Sequence, residues 1–307
     1  MYDSLDSTEP FFYSLEFMSI STYPLHEIAA SQTSATTDEK LITMWLHGKS
    51  QTSQKTYAST VKQFLAFVGK GLRELKLEDI QMWSSSLEMR YSGTTVKNKV
   101  NAVKSLLSFG QKIGYLQFNV GSAVTTPNAK DTLSSRILRH EDAVKLIEAT
   151  TCQRDKIMLS VTYKCGLRKA ELCGLTWSDL QPRGDAGQAT VFGKGGKTRT
   201  VLIPRKLWNE LMSLPRSGKT DAVFVSRNGG GIKHTRLHYI VKEASRKAGI
   251  SEKASSHWLR HSHATEAIER GCDLHLLQQS LGHSSLAVTS KYLHTRPEQG
   301  SSQFFED

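Results

Sequence analysis

Apolar residues in this chain recur mostly at helical spacing. Tyr57, Val61, Phe64, Leu65 and Val68 form one stripe of a helix, with Thr52 or Ser53 placed to cap its start and Gly69 and Gly71 to break it. Residues 77–89 and 94–112 read the same way. In the second of these, Val96, Val100, Val103 and Leu107 make the apolar stripe; Lys97, Lys104 and Lys112 fall off it, and Lys99 sits beside it. Beyond a polar stretch holding Pro127, the pattern predicts helices over 139–150 and 155–163. It then predicts strands over 188–192 and 200–203 around the turn Gly193-Lys194-Gly195-Gly196, and a further short strand over 222–225 before a turn at 228–231. Helical spacing returns over 234–248, 257–270, 274–281 and 286–292, and no repeat of solenoid length is visible.

The expected fold is therefore mainly α. A helical N-terminal domain over 38–124 and a linker over 125–134 precede a mixed, mostly helical domain over 135–296 that carries a small antiparallel β-sheet. Residues 1–37 read as a poorly ordered extension with a short docking helix around 11–18, and 297–307 as a tail. A first methionine at Met18 or Met44 is a second reading of that extension.

Charge changes the picture more than composition does. The chain has 307 residues and a formal net charge of +11, yet its first 39 residues carry acids (Asp3, Asp6, Glu9, Glu16, Glu27, Asp38, Glu39) and no Lys or Arg. The rest is strongly basic, which favours a polyanion as partner over a merely soluble surface. No uncharged apolar run approaches the ~20 residues of a membrane helix, and the N-terminus lacks the basic segment of a secretory signal. Cys152, Cys165, Cys173 and Cys272 show no CxxC spacing, which argues against a disulfide scaffold or a cysteine-rich zinc module and for a reducing, cytoplasmic setting.

The last third concentrates unusual polar residues: His257-Trp258-Leu259-Arg260-His261-Ser262-His263 at a helix start, Gly282-His283 at a helix end, and Tyr292 nine residues on. Upstream, Arg168 stands at a helix start within Gly166-Leu167-Arg168-Lys169-Ala170-Glu171-Leu172. Paired guanidinium groups can hold a tetrahedral anion. A lysine on a turn can deliver a proton, histidines can bond phosphate oxygens, and a tyrosine hydroxyl can attack a phosphorus held in line. Together they suit phosphoryl transfer in which side-chain cations supply the charge stabilisation that a metal gives elsewhere.

These segments resemble the tyrosine recombinase (phage integrase) family, in its Xer-like bacterial and phage branch. The resemblance rests on 166–172, the 193–197 turn, His257-x-x-Arg260, Leu281-Gly282-His283 and Tyr292-Leu293-His294, and spans about 132–296; the helical 38–120 is similar to the family's SAM-like core-binding domain. It implies that Arg168, Arg260, His257 and His283 bind the scissile phosphate and that Tyr292 is the nucleophile forming a 3′-phosphotyrosyl bond. Lys194 then protonates the leaving 5′-oxygen, with Lys197 in the same turn as the alternative. It further implies no cofactor, metal or ATP, double-stranded DNA as substrate, a homo-tetramer on paired sites for integration, excision or resolution, and room for an accessory protein or partner recombinase. Glu171 is expected either to be solvated or to pair with a cation and orient the site, His261 and His263 to support packing or backbone bonds, and Phe304 and Phe305 either to anchor the tail on a neighbouring protomer or to lie in a frayed terminus.

Three other readings compete. A type IB topoisomerase-like relaxer shares the tyrosine chemistry, and an inert DNA-binding regulator would share the charge. A zinc enzyme would use His257 and His261, which stand at i and i+4, but the Glu of an HExxH site is absent between them.

Overall fold

The structure is a computed structural model that describes residues 33–128, 131–193 and 196–293. Lys194, the expected helix around 11–18 and the tail with Phe304 and Phe305 lie outside the described residues. The chain divides into two compact units, Met1–Lys130 and Asp131–Asp307.

The first unit is helical: α1 (Asp38–Leu46), α2 (Gln51–Val68), α3 (Leu77–Glu88) and α4 (Gly93–Lys112). The predicted stripe of α2 buries Val61 and Phe64, and that of α4 buries Val96, Val100, Val103 and Leu107. Phe64 meets Trp83 of α3 edge-on at 4.9 Å between ring centres. The cap of α2 is Ser50, whose hydroxyl accepts from the Ser53 N–H, rather than the expected Thr52 or Ser53. Hydroxyls at three neighbouring positions make the start ambiguous in sequence, and the one just ahead of the helical backbone serves. Of the lysines off or beside the apolar stripe of α4, Lys104 donates to the Val124 carbonyl and Lys99 to Gln63 at 2.6 Å.

The second unit wraps α6 (Gln153–Cys165), preceded by α5 (His140–Glu148) and followed by α7 (Lys169–Gly174). Ile157, Met158, Leu159, Val161, Thr162 and Tyr163 of α6 are all buried, so this helix is apolar on nearly every side. Strands β1 (Leu180–Arg183), β2 (Ala186–Phe192) and β3 (Thr198–Ile203) form an antiparallel sheet in the order β1-β2-β3. Phe192 pairs with Thr198 across the turn that carries Lys197. Then come α8 (Arg205–Met212), α9 (His234–Lys247), α10 (Ser256–Glu269), α11 (Leu274–Leu281), α12 (Leu286–Thr289) and a 3-10 turn at Ser290–Tyr292.

Three elements differ from the sequence reading. β1 was not expected, because its polar residues and Pro182 lack strand patterning; as an edge strand it tolerates both. The short α8 was also unforeseen. The strand expected at 222–225 is absent: this stretch makes isolated bridges, Thr176 with Ala222 and Val225 with Gly231. Its apolar character reflects burial of Val223 and Phe224 in the core rather than pairing in a sheet.

Candidate active site

The site assembles around the C-terminal end of α11. A helix leaves its last carbonyls without intrahelical partners and carries a partial negative charge at that end. Here three successive carbonyls are each taken by a different arginine. Arg199 Nε donates to Ser280 at 2.7 Å, Arg260 Nη2 to Leu281 at 2.7 Å, and Arg168 Nη2 to Gly282 at 2.9 Å. The arginines come from β3, α10 and the start of α7, far apart in sequence, and the helix end gathers them.

Each has a second anchor. Arg260 is almost wholly buried and also donates to the Gly166 carbonyl. Burial, and then the Arg168 charge, bring its pKa down to about 10. Arg168 stands at the N-cap of α7; its backbone N–H donates to Glu171 Oε2 at 2.8 Å and its Nη1 to Oε1 at 2.9 Å. Arg199 closes on the same carboxylate from the other side. Burial alone would raise the Glu171 pKa; the Arg199 hydrogen bonds and the Arg168 backbone bond outweigh it and hold the group at about 2.

Glycine is required at two joints. Gly166 ends α6 with φ of +62°, and a Cβ there would lie 2.6 Å from His263 Cδ2. Gly282 ends α11, also at +62°, against the Arg199 side chain. His283 follows directly. Its Nε2 accepts from Arg260 Nη2 at 3.2 Å, so Nδ1 carries the proton and donates to Thr289 Oγ1 at 2.9 Å. Burial, then the charges of Arg260, Arg168 and Arg199, bring its pKa down to about 4.

Tyr292 is buried, with its ring parallel to that of His283 at 6.3 Å between centres. Burial raises its pKa, against the lowering charges of Arg260 and Arg168. His257, in the first turn of α10, has its pKa lowered by burial, then by Lys169, Arg260 and Arg168. Arg168, Lys197, Arg199 and His283 line a cavity of about 710 Å³. The structure thus brings together Arg168, His257, Arg260, His283 and Tyr292.

Sequence reasoning missed two groups. Arg199 was not singled out, since a strand arginine carries no signal until the fold sets α11 beside it. His261 was assigned to packing or backbone bonds, but its Nδ1 lies 2.8 Å from the Tyr292 hydroxyl. His263 does act as support, packed against Gly166. Among the described residues no group of three or more His, Cys, Asp or Glu side chains converges as metal ligands would.

Comparison with known proteins decides the family. Residues 136–299 match the Phage integrase family, and 38–110 match the N-terminal SAM-like domain of phage integrases. The chain belongs to the phage integrase family. The recombinase is 30% identical over 266 residues to tyrosine recombinase XerC of Thermodesulfovibrio yellowstonii, covering 80% of this chain and 87% of that one. It is 33% identical to XerC of Xanthomonas campestris pv. campestris over 210 residues, 66% of this chain and 64% of the relative. In fold it is similar to a lambda integrase dimer bound to a COC′ core site, with a TM-score of 0.70 at 17% identity over 86% of this chain and 79% of that one. This Xer-like tyrosine recombinase is thus a site-specific recombination enzyme. No helix among its described residues is long and apolar enough to cross a membrane.

Proposed function

We propose that this recombinase cuts and rejoins double-stranded DNA through Tyr292. The observation that carries the assignment is the convergence of Arg168, Arg260 and His283 at the end of α11 with Tyr292 stacked on that histidine. In the forward step a bond forms between the Tyr292 hydroxyl oxygen and phosphorus, and the bond from phosphorus to the 5′-oxygen breaks. The phenol releases its proton to solvent water, and the 5′-oxygen gains one from a turn lysine, Lys194 or, three residues on, Lys197. Arg168, Arg260, His257 and His283, the last protonated on Nε2 when the phosphate lies beside it, spread the charge of the pentacoordinate state; one such donor is worth about 2.7–4 kcal/mol, and the acid about 10²–10⁴-fold. The phosphoester is conserved as a 3′-phosphotyrosyl bond, so a 5′-hydroxyl from a second duplex reverses the step without ATP.

The helical first unit is the core-binding domain of this reading, and four copies act on two sites; a lambda integrase tetramer bound to a Holliday junction is similar in fold. A nicked suicide substrate carrying the recombination site tests the chemistry. Wild-type protein accumulates a covalent DNA adduct, and Tyr292→Phe forms none; an adduct in that variant overturns the assignment. Recombination of two sites by the purified chain alone supports the homo-tetramer, and a requirement for cell extract reveals an accessory protein or partner recombinase.

A further inference from the structure

His261 lies one turn after His257 on α10, with its ring 6.3 Å from that of His257. Its own contact is with the tyrosine: Nδ1 is 2.8 Å from the Tyr292 hydroxyl, and the two rings lie 5.8 Å apart. The direction of this hydrogen bond follows from chemistry. A neutral imidazole carries one N–H and one bare acceptor nitrogen, and a phenol donates more strongly than it accepts, so with the N–H on Nε2 the Nδ1 takes the phenol hydrogen. Burial, then the charges of His257, Arg260 and Arg136, bring the His261 pKa down to about 4, so the ring is neutral and able to accept. A hydroxyl that gives its hydrogen to Nδ1 keeps its oxygen lone pairs outside that bond. Rotation about the C–O bond is then fixed, with the lone pairs turned away from the imidazole.

We infer that His261 is a positioning residue for the nucleophile: Nδ1 accepts the Tyr292 hydroxyl hydrogen and orients the oxygen for attack on the phosphate held by Arg168, Arg260 and His283. This rests on the assignment of Tyr292 as nucleophile. His261 would act on the attacking side of the phosphorus only, opposite in role to the turn lysine at the leaving oxygen. Fixing a reacting atom in this way is worth about 10²-fold when it is lost.

Single-turnover cleavage of the suicide substrate tests it with three variants of the full chain. His261→Ala is expected to cleave about 10²-fold more slowly with unchanged DNA affinity. His261→Asn, whose amide oxygen stands near the place of Nδ1, is expected to recover most of the rate. A 5′-bridging phosphorothiolate substrate has a leaving group that needs no proton, so it should leave His261→Ala slow. A His261→Ala enzyme as fast as wild type, a His261→Asn enzyme no faster than His261→Ala, or rescue of His261→Ala by the phosphorothiolate would each overturn the inference. Should the alanine variant misfold, the Cζ resonance of ¹³C-labelled Tyr292 in wild type and His261→Asn, identified by its loss in Tyr292→Phe, decides. It should stay in place in His261→Asn and move in a folded His261→Leu; no movement in His261→Leu counts against the hydrogen bond. Tyr292→Phe separates the two assignments: if it still forms adduct, the nucleophile is wrong, whereas a dead Tyr292→Phe beside a fully active His261→Ala removes the positioning role alone.

Discussion

Arg199 holds Glu171 with both ends of its guanidinium group, Nη1 to Oε1 at 2.7 Å and Nη2 to Oε2 at 2.9 Å, while its Nε grips the Ser280 carbonyl. One side chain therefore ties β3, just after the lysine turn, to the helix start that carries Arg168 and to the helix end that precedes His283. A lysine keeps the charge but has no planar fork to make all three bonds. Arg199→Lys is expected to lower single-turnover cleavage about 10²-fold through displaced neighbours, with DNA affinity at fixed salt unchanged. Cleavage and filter-binding assays on one preparation check both halves.

Glu171 is the counterpart of that clamp, and its removal leaves buried guanidinium groups facing each other. Breaking a buried ion pair from one side costs about 3–5 kcal/mol, so Glu171→Gln should lose a large part of the second unit's stability. The carboxyl titrates at about 2 in the folded protein against an ordinary value of 4.5. Its stabilisation is present above pH 4.5 and is lost as pH falls from there towards 2. Thermal melts across that window should fall more steeply for the wild type than for Glu171→Gln.

The sequence carried the reacting groups more plainly than the parts that hold them. Arg260, His283 and Tyr292 sit at fixed offsets within one stretch of chain, where local spacing is a signal. Arg199 and Glu171 are 28 residues apart, and the arginine gains its meaning from α11, which the strand reaches only in three dimensions. His261 failed for a different reason: at i+4 from His257 it shares that residue's helix face, and helical spacing alone cannot say which histidine meets the tyrosine. The helices were legible wherever one face is apolar, as in α2 and α4. The edge strand β1 and the stretch 222–225 were misread because burial and hydrogen-bond pairing come apart there.

Gly187 faces Trp208 so closely that a Cβ would lie 1.9 Å from the indole ring. Neither backbone nor ring can yield that distance without moving α8 off the sheet. Gly187→Ala should therefore destabilise the second unit by about 1–3 kcal/mol or more, read as a lower denaturant midpoint. Adding Trp208→Leu should recover part of the loss by opening the space.

In the first unit, Asp38 joins two distant segments: Oδ1 accepts from the Tyr115 hydroxyl at 2.7 Å and Oδ2 from the Leu72 N–H at 2.8 Å. Hydrogen bonds to charged groups contribute about 1.5–3 kcal/mol, and Tyr115→Phe should lose about that much. Burial, then Asp38, raise the Tyr115 pKa from 10 to about 12. The bond is intact below pH 10, and its stabilisation is lost as pH rises from 10 towards 12. Hydrogen exchange of peptides from the first unit should show faster opening in Tyr115→Phe at neutral pH, and a smaller further increase than wild type at alkaline pH.

His263 gives the clearest acid response of the folded second unit. Burial lowers its pKa to about 4 from 6.5, against a backbone hydrogen bond to Tyr163 that raises it and with the Arg260 charge adding to the fall. The unfolded chain therefore binds a proton below pH 6.5 that the folded protein refuses until about pH 4. Stability from this group is complete above 6.5 and declines as pH drops through that interval. His261 and His283 are lowered to about 4 as well and add to the same slope, but phosphate on the arginines would change their surroundings directly, whereas His263 packs behind Gly166. In the free protein, His263→Leu should flatten the decline in melting temperature between pH 6.5 and 4. DNA binding should then reduce the remaining slope, because a polyanion beside His283 favours its protonated form. An unchanged slope in His263→Leu would place the acid sensitivity elsewhere in the unit.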